Sequence, residues 1–185
     1  MRIRFLIVLN LAVFAVLSLS WAIYARPEIK EELISWGHKK YDGKRTIDAV
    51  IVHSTYYADN ADSFSVAGVL KQFKQYDVSA HYLIDRSGTI HRLVKENDIS
   101  YHAGVSSLPD GRTNVNSTSI GIEVIITKYS PPAEVQYAAL AALVKDIQQR
   151  HPIKYIKRHS DIAPDRKTDP WNFDWKRWTE MLEKE

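Results

Sequence analysis

The segment Arg158-His159-Ser160-Asp161-Ile162-Ala163-Pro164-Asp165-Arg166-Lys167-Thr168-Asp169-Pro170 gathers one histidine, three aspartates, two arginines and a lysine. It shows no apolar period, and each of its prolines lacks an N–H and fixes φ, so a loop is expected rather than a helix or strand. His159 and Asp169 offer an imidazole nitrogen and a carboxylate oxygen, both suited to a borderline cation such as zinc. Lys167 would stand beside such an ion, where a cation is repelled unless it has a task. Taken alone, the segment reads equally well as a charged surface turn.

A second histidine changes that balance. Val50-Ile51-Val52 is a β-branched run of the kind that forms a buried strand, and His53 closes it. A histidine there is either a satisfied core residue or a ligand directed into a cleft at the strand end, where α/β sheets bind. The chain has no cysteine, so any metal must be held by imidazole and carboxylate. His53, His159 and Asp169 together make a zinc set of two imidazoles and one carboxylate, leaving a fourth position for water. Zinc lowers the pKa of such a water to about 7 and polarises a neighbouring carbonyl. Amide hydrolysis also needs a base for the water proton and a donor for the developing oxyanion. Glu123 lies inside the apolar run Ser119-Ile120-Gly121-Ile122-Glu123-Val124-Ile125-Ile126, where an acid is costly unless paired or near a metal. It fits the first role, and Lys167 fits the second. Glu123 on an edge strand facing solvent is the alternative.

These residues need elements to position them. Ser63 can cap a helix whose apolar face is Val66, Val69, Leu70 and Phe73. Two strand-like runs flank Arg86-Ser87-Gly88 as a hairpin, with His81 and His91 read as cross-strand or core residues rather than ligands. A polar, turn-rich loop runs from Ser100 to Thr118, longer than a purely connecting loop needs to be. Glu134 to Arg150 carries Tyr137, Leu140, Val144 and Ile147 along one stripe of a helix. Ile153 to Ile156 is a short strand leading into the His159 loop, and a last helix from about Asp174 buries Trp175, Trp178, Met181 and Leu182. The alternation predicts one α/β domain with a mixed central sheet flanked by helices.

The first 25 residues are different in kind. Met1-Arg2-Ile3-Arg4 precedes an uncharged run from Phe5 to Ala25, about 21 residues or about 31 Å as a helix. The run predicts an N-terminal apolar helix acting as a signal peptide or membrane anchor, and hence export to the periplasm or cell envelope. Residues 26–46 are expected to be a linker with a short helix around Glu31–Ser35, and residues 47–185 the catalytic domain. Lys39, Lys40, Lys44 and Arg45 read as a solvated face of that linker. Of the formal charge of +3, Arg2 and Arg4 supply two units, so the remainder is nearly neutral. Nucleic-acid binding is therefore not expected, since phosphate contacts need a clustered basic surface. A monomer is expected.

Val52-His53-Ser54-Thr55, Ser79-Ala80-His81-Tyr82-Leu83-Ile84-Asp85, His102-Ala103-Gly104, Ser119-Ile120-Gly121-Ile122-Glu123 and His159 followed by Asp169-Pro170 occur in that order. From about Ile47 onward the chain resembles the zinc-dependent N-acetylmuramoyl-L-alanine amidases, a family that includes peptidoglycan recognition proteins and phage lysozyme-amidases. The resemblance implies cleavage of the amide between the lactyl group of N-acetylmuramic acid and L-alanine, in peptidoglycan or its muropeptides. It implies zinc on His53, His159 and Asp169, Glu123 as catalytic acid/base and Lys167 as oxyanion stabiliser. It also implies substrate contacts from His102 and Asn116. Some phage members carry a tyrosine where this chain has Ala80 and lack the strand glutamate; this chain is more similar to the glutamate-using branch of cytoplasmic anhydromuropeptide amidases. Its first 25 residues depart from that branch. A non-catalytic, membrane-tethered peptidoglycan-binding module is the competing expectation. A zinc peptidase cutting within the stem peptide finds no His-Glu-x-x-His helix to support it.

Overall fold

A computed structural model describes residues 26–59 and 62–183. The β-branched run forms the middle of β3 (Ala49–Thr55), in which every residue is buried. Such a strand belongs inside a sheet covered on both faces. Its neighbours are β7 (Ser119–Ile125) and β8 (Tyr155–Arg158), both parallel to it. Beyond β7 lie β4 (Tyr82–Ile84), again parallel, and β5 (Ile90–Arg92), antiparallel to β4. β1 (Ile29–Glu31) pairs with β5 at the edge, giving the order β1-β5-β4-β7-β3-β8. The sheet is mixed, as its sequence predicts. The β4–β5 hairpin turns where Arg86-Ser87-Gly88 places it, and Gly88 supplies the positive φ of 86°.

Alternation along the central strands sends two sets of side chains to opposite faces. Val50, Val52, Tyr82, Ile84, Ile120, Ile122 and Val124 pack on one face with α2 (Glu134–Arg150) and α4 (Trp175–Glu183). Tyr137, Leu140, Val144 and Ile147 are all buried there, as the helical stripe requires, and Trp178 is fully enclosed. On the other face, α1 (Val66–Gln75) lays Val69 and Phe73 over Leu83 and Ile125. Ala49 and Ile51 are covered instead by Ala103, Leu108, Val115 and Ile162. Two separate lids thus cover this second face, and His53 and Glu123 stand in the row between them. Ser65 rather than Ser63 caps α1, its Oγ accepting from the Gly68 N–H at 3.2 Å.

Three expectations need correcting. Residues 26–46 are not a free linker. β1 joins the sheet edge, and β2 (His38–Lys39) pairs with β6 (Ile99–Ser100) where a helix was expected nearby. Backbone pairing decides this, since three-residue strands carry too little pattern to be read from sequence. Arg45 is not solvated but buried, donating to the carbonyl oxygens of Glu96 at 2.6 Å and Asn116 at 2.8 Å. The start of the Arg158–Pro170 loop forms one helical turn, α3 (His159–Ile162), because Asp161 Oδ2 accepts the Arg158 N–H at 2.9 Å and Pro164 falls beyond its end. The predicted N-terminal apolar helix lies outside the described residues.

Candidate metal centre

β3 and β7 run in register with His53 opposite Glu123, so both side chains leave the same face near the carboxyl ends of parallel strands. β8 ends one residue before His159, which α3 holds at the same end of the sheet. The chain then returns: Ser160 N–H donates to the Asp169 carbonyl at 3.0 Å, and the Arg166 and Lys167 N–H groups donate to the Ala163 carbonyl. That closure brings Asp169 back onto His159.

The three predicted ligands meet. One ligand atom from each of His53, His159 and Asp169 lies within 4.8 Å of the others, and all three residues are buried. His159 Nδ1 is 3.1 Å from Asp169 Oδ2, and His53 Nδ1 is 3.7 Å from the same oxygen. The far nitrogens are engaged elsewhere. His159 Nε2 reaches the Ala103 carbonyl at 3.3 Å, a contact only an N–H can make favourable, and His53 Nε2 lies 3.0 Å from His102 Nδ1. Burial pulls the His53 pKa down to about 4, with Asp169 opposing and His159 adding to the effect. Burial also works against the Asp169 carboxylate, but the adjoining His159 and His53 outweigh it and hold its pKa well below the ordinary value. Two imidazole nitrogens and an anionic oxygen therefore converge with few hydrogens between them. Such a cluster of acceptors calls for a cation, and its donor set suits zinc.

Around it lies a cleft of about 210 Å³ lined by Glu123, Lys167, His102, Phe73, Val78, Tyr101 and Trp171 among others. Larger hollows exist, such as one of about 520 Å³ beside Tyr56, Phe64 and Tyr129, but that one holds no imidazole or carboxylate. Glu123 is only partly buried as a residue, yet its Oε2 is enclosed and has no hydrogen-bond partner among the described residues. Burial pushes its pKa well above 4.5, the Asp169 charge adds to this, and Lys167 works the other way. A half-buried acid with a free oxygen beside a metal-ligand set is equipped to take up and release a proton. Lys167 brings a positive charge to the same cleft.

His102 lines the cleft as well, but its ring is tied at both nitrogens, to His53 and to Ser119 Oγ at 3.1 Å; burial drives its pKa well below 6.5. Asn116 does not line the cleft. Its Oδ1 accepts the N–H groups of His102 and Ala103 at 3.2 and 2.8 Å, which points to support of the loop rather than contact with a ligand. His81 is buried, with Nδ1 accepting the Gly121 N–H at 3.0 Å, and His91 sits between Glu32 and Asp85; both stay outside the ligand set. Sequence reasoning missed Trp171, Tyr101 and Ser119. Trp171 follows directly after Asp169-Pro170, and that adjacency was the available signal. Ser119 looked like an ordinary first residue of a strand.

Comparison with known proteins decides the family. A profile of the N-acetylmuramoyl-L-alanine amidases matches residues 43–172. The chain belongs to this amidase family. Members are typically zinc-dependent, in keeping with the His-His-Asp group. The 1,6-anhydro-N-acetylmuramyl-L-alanine amidase AmpD of Escherichia coli is 43% identical over 111 residues, covering 58% of this chain and 60% of that protein. The chain thus spans less than two thirds of the length of the curated amidase it matches. A crystal structure of an AmpD derivative superposes with a TM-score of 0.75 at 30% identity, covering 86% of this chain and 97% of the other. The E. coli amidase AmiD, solved with anhydro-N-acetylmuramic acid-L-Ala-D-γ-Glu-L-Lys, superposes with a TM-score of 0.64 at 28% identity, covering 78% and 65%. These matches correct the expectation of export. The AmpD relatives are the anhydromuropeptide amidases, the branch already described as cytoplasmic, and the apolar run that suggested an anchor lies outside the described residues. Among the described residues no helix is long and apolar enough to cross a membrane.

Proposed function

We propose that the chain is a zinc-dependent N-acetylmuramoyl-L-alanine amidase, hydrolysing the amide between N-acetylmuramic acid and L-alanine in peptidoglycan fragments. The observation that carries this reading is the convergence of His53, His159 and Asp169 next to Glu123, whose Oε2 is enclosed and has no hydrogen-bond partner among the described residues. The muropeptide bound by AmiD supports the substrate class.

His53, His159 and Asp169 would hold the ion. When bound, zinc supplies Lewis acidity, making a water more acidic and a carbonyl more electrophilic. Glu123 Oε2, free of other partners among the described residues, accepts the water proton and later delivers it to the alanine nitrogen as the C–N bond breaks. The lactyl carbonyl keeps the water oxygen, and the peptide leaves with a free amine. Lys167 places its charge where the carbonyl oxygen turns negative. Phe73, Val78 and Tyr101 wall one part of the cleft with apolar surface and limit water to the reacting centre.

Mass spectrometry of the zinc-loaded chain incubated with an anhydromuropeptide tests this directly. The expected products are anhydro-N-acetylmuramic acid and a peptide beginning with L-alanine, and a chelator should abolish both. An intact muropeptide, or a cut within the stem peptide, would overturn the reading.

A further inference from the structure

The residues that hold His53 in place also decide which of its nitrogens is bare, and this follows from a chain of hydrogen bonds with only one consistent direction. Ser119 Oγ lies 2.6 Å from the Val115 carbonyl oxygen. A carbonyl cannot donate, so the single hydroxyl hydrogen of Ser119 points at Val115, and its oxygen is left as an acceptor. The next contact is His102 Nε2 at 3.1 Å, which must therefore carry the hydrogen. A neutral His102 then has a bare Nδ1, and a charged one would be buried with only a hydroxyl and an imidazole for partners. His102 Nδ1 faces His53 Nε2 at 3.0 Å, so His53 must be the donor. The lone pair of His53 is thereby left on Nδ1, the nitrogen that faces Asp169.

We propose that Ser119 and His102 form a hydrogen-bonded relay that locks His53 in its Nε2–H tautomer, leaving Nδ1 as the metal-ligating nitrogen. Both are positioning residues: neither is a ligand, and each acts through His53. The adjoining backbone does the same for the second imidazole, since the Ala103 carbonyl takes His159 Nε2–H at 3.3 Å. One dipeptide, His102-Ala103, thus orients both imidazoles, and Asn116 Oδ1 pins it through both of its N–H groups. Strand β7 is shaped to admit the relay. A Cβ on Gly121 would lie 2.4 Å from His102 Cγ, so only glycine leaves room for the ring to reach from Ser119 to His53.

The inference rests on the metal reading of His53, and its test separates the two. Metal-free protein with 15N-labelled histidine, held at pH 8, reports by NMR which ring nitrogen of His53 bears hydrogen, without zinc or substrate. The expected result is Nε2–H for the wild type. Ser119→Ala removes the acceptor for His102 and should populate the Nδ1–H form of His53; Ser119→Thr, which keeps a hydroxyl, should hold the wild-type form. Competition with a chromophoric chelator should then show zinc bound about 10-fold to 100-fold more weakly by Ser119→Ala. Hydrogen on Nδ1 in the wild type overturns the relay. So does a Ser119→Ala protein whose melting temperature shifts while tautomer and zinc affinity stay put, since Ser119 would then be structural only. Failure of the wild type to bind zinc at all, with the Nε2–H tautomer in place, overturns the amidase reading and leaves the relay standing.

Discussion

His53 and Glu123 are register partners on adjacent parallel strands, so an imidazole and a carboxylate rise side by side from one face of the sheet. The sheet thereby fixes the two backbone positions relative to one another, while Asp169 reaches them from the loop closed by the Ser160–Asp169 hydrogen bond. Glu123 Oε2 is enclosed and has no partner among the described residues, which costs folding free energy. A stable fold that retains such a cost at its ligand set points to use rather than accident.

Glu123→Gln should therefore separate catalysis from stability. Turnover should fall by about 10²-fold to 10⁴-fold, the range for losing a positioned acid/base. Zinc content should stay at the wild-type level, because Glu123 is outside the ligand group. The melting temperature of the metal-free variant should be no lower than that of the wild type, because an ionisable group with an enclosed oxygen has been made permanently neutral. Unchanged turnover would remove Glu123 from the mechanism.

Lys167→Met keeps the aliphatic stem and removes the charge. If the ammonium serves the developing oxyanion, kcat should fall by about 10²-fold to 10³-fold while KM changes little. A rise in KM with kcat preserved would instead make Lys167 a substrate anchor. Steady-state kinetics on one muropeptide distinguish the two outcomes.

How far the sequence displayed this site depends on how local each signal was. His53 was visible because it ends a β-branched run, and Glu123 because an acid interrupts an apolar one; both clues lie within a few residues of the group concerned. His159 and Asp169 were visible as ligand types, but not the one-turn helix and the Ser160–Asp169 closure that join them, which depend on backbone contacts across the loop. Ser119 gave no sign, because its partner His102 arrives from a loop 17 positions away. Arg45 misled for the same reason: beside three lysines it reads as surface, yet carbonyl groups of Glu96 and Asn116 draw it inside. The mixed sheet was legible from the alternation of strands and helices. β1 and β2 were not, being only three and two residues long.

Gly121 gives a steric test of the same neighbourhood. Its backbone is not in the left-handed region, so Gly121→Ala carries no φ penalty. The added methyl would overlap His102 Cγ at 2.4 Å and Nδ1 at 2.6 Å, and a packed interior has little room to yield. The variant should lose about 1–3 kcal/mol of stability in denaturant titrations and bind zinc more weakly, as His102 is pushed off His53. Wild-type zinc affinity in a folded Gly121→Ala protein would show that the ring can shift without consequence for the ligands.

Glu96 provides a pH test remote from the metal. Burial works against its charge, but Arg150, Tyr82 at 2.6 Å and His151 at 2.7 Å overcome this and hold its pKa at about 2, below the ordinary 4.5. Arg150 also grips Asp146 at 2.7 Å, so the carboxylate of Glu96 ties the end of α2 to the β5–β6 connection. A carboxyl whose pKa is depressed on folding stabilises the protein fully above its unfolded pKa, and that contribution fades as the pH falls through the folded one. The window is thus from about 4.5 down to about 2. A shift of that size corresponds to at most on the order of 3 kcal/mol. Glu96→Gln should lower the melting temperature at pH 7, and the gap between variant and wild type should narrow steadily as the pH drops through this window. A gap that is the same at pH 7 and pH 3 would mean that shape, and not charge, is what Glu96 contributes.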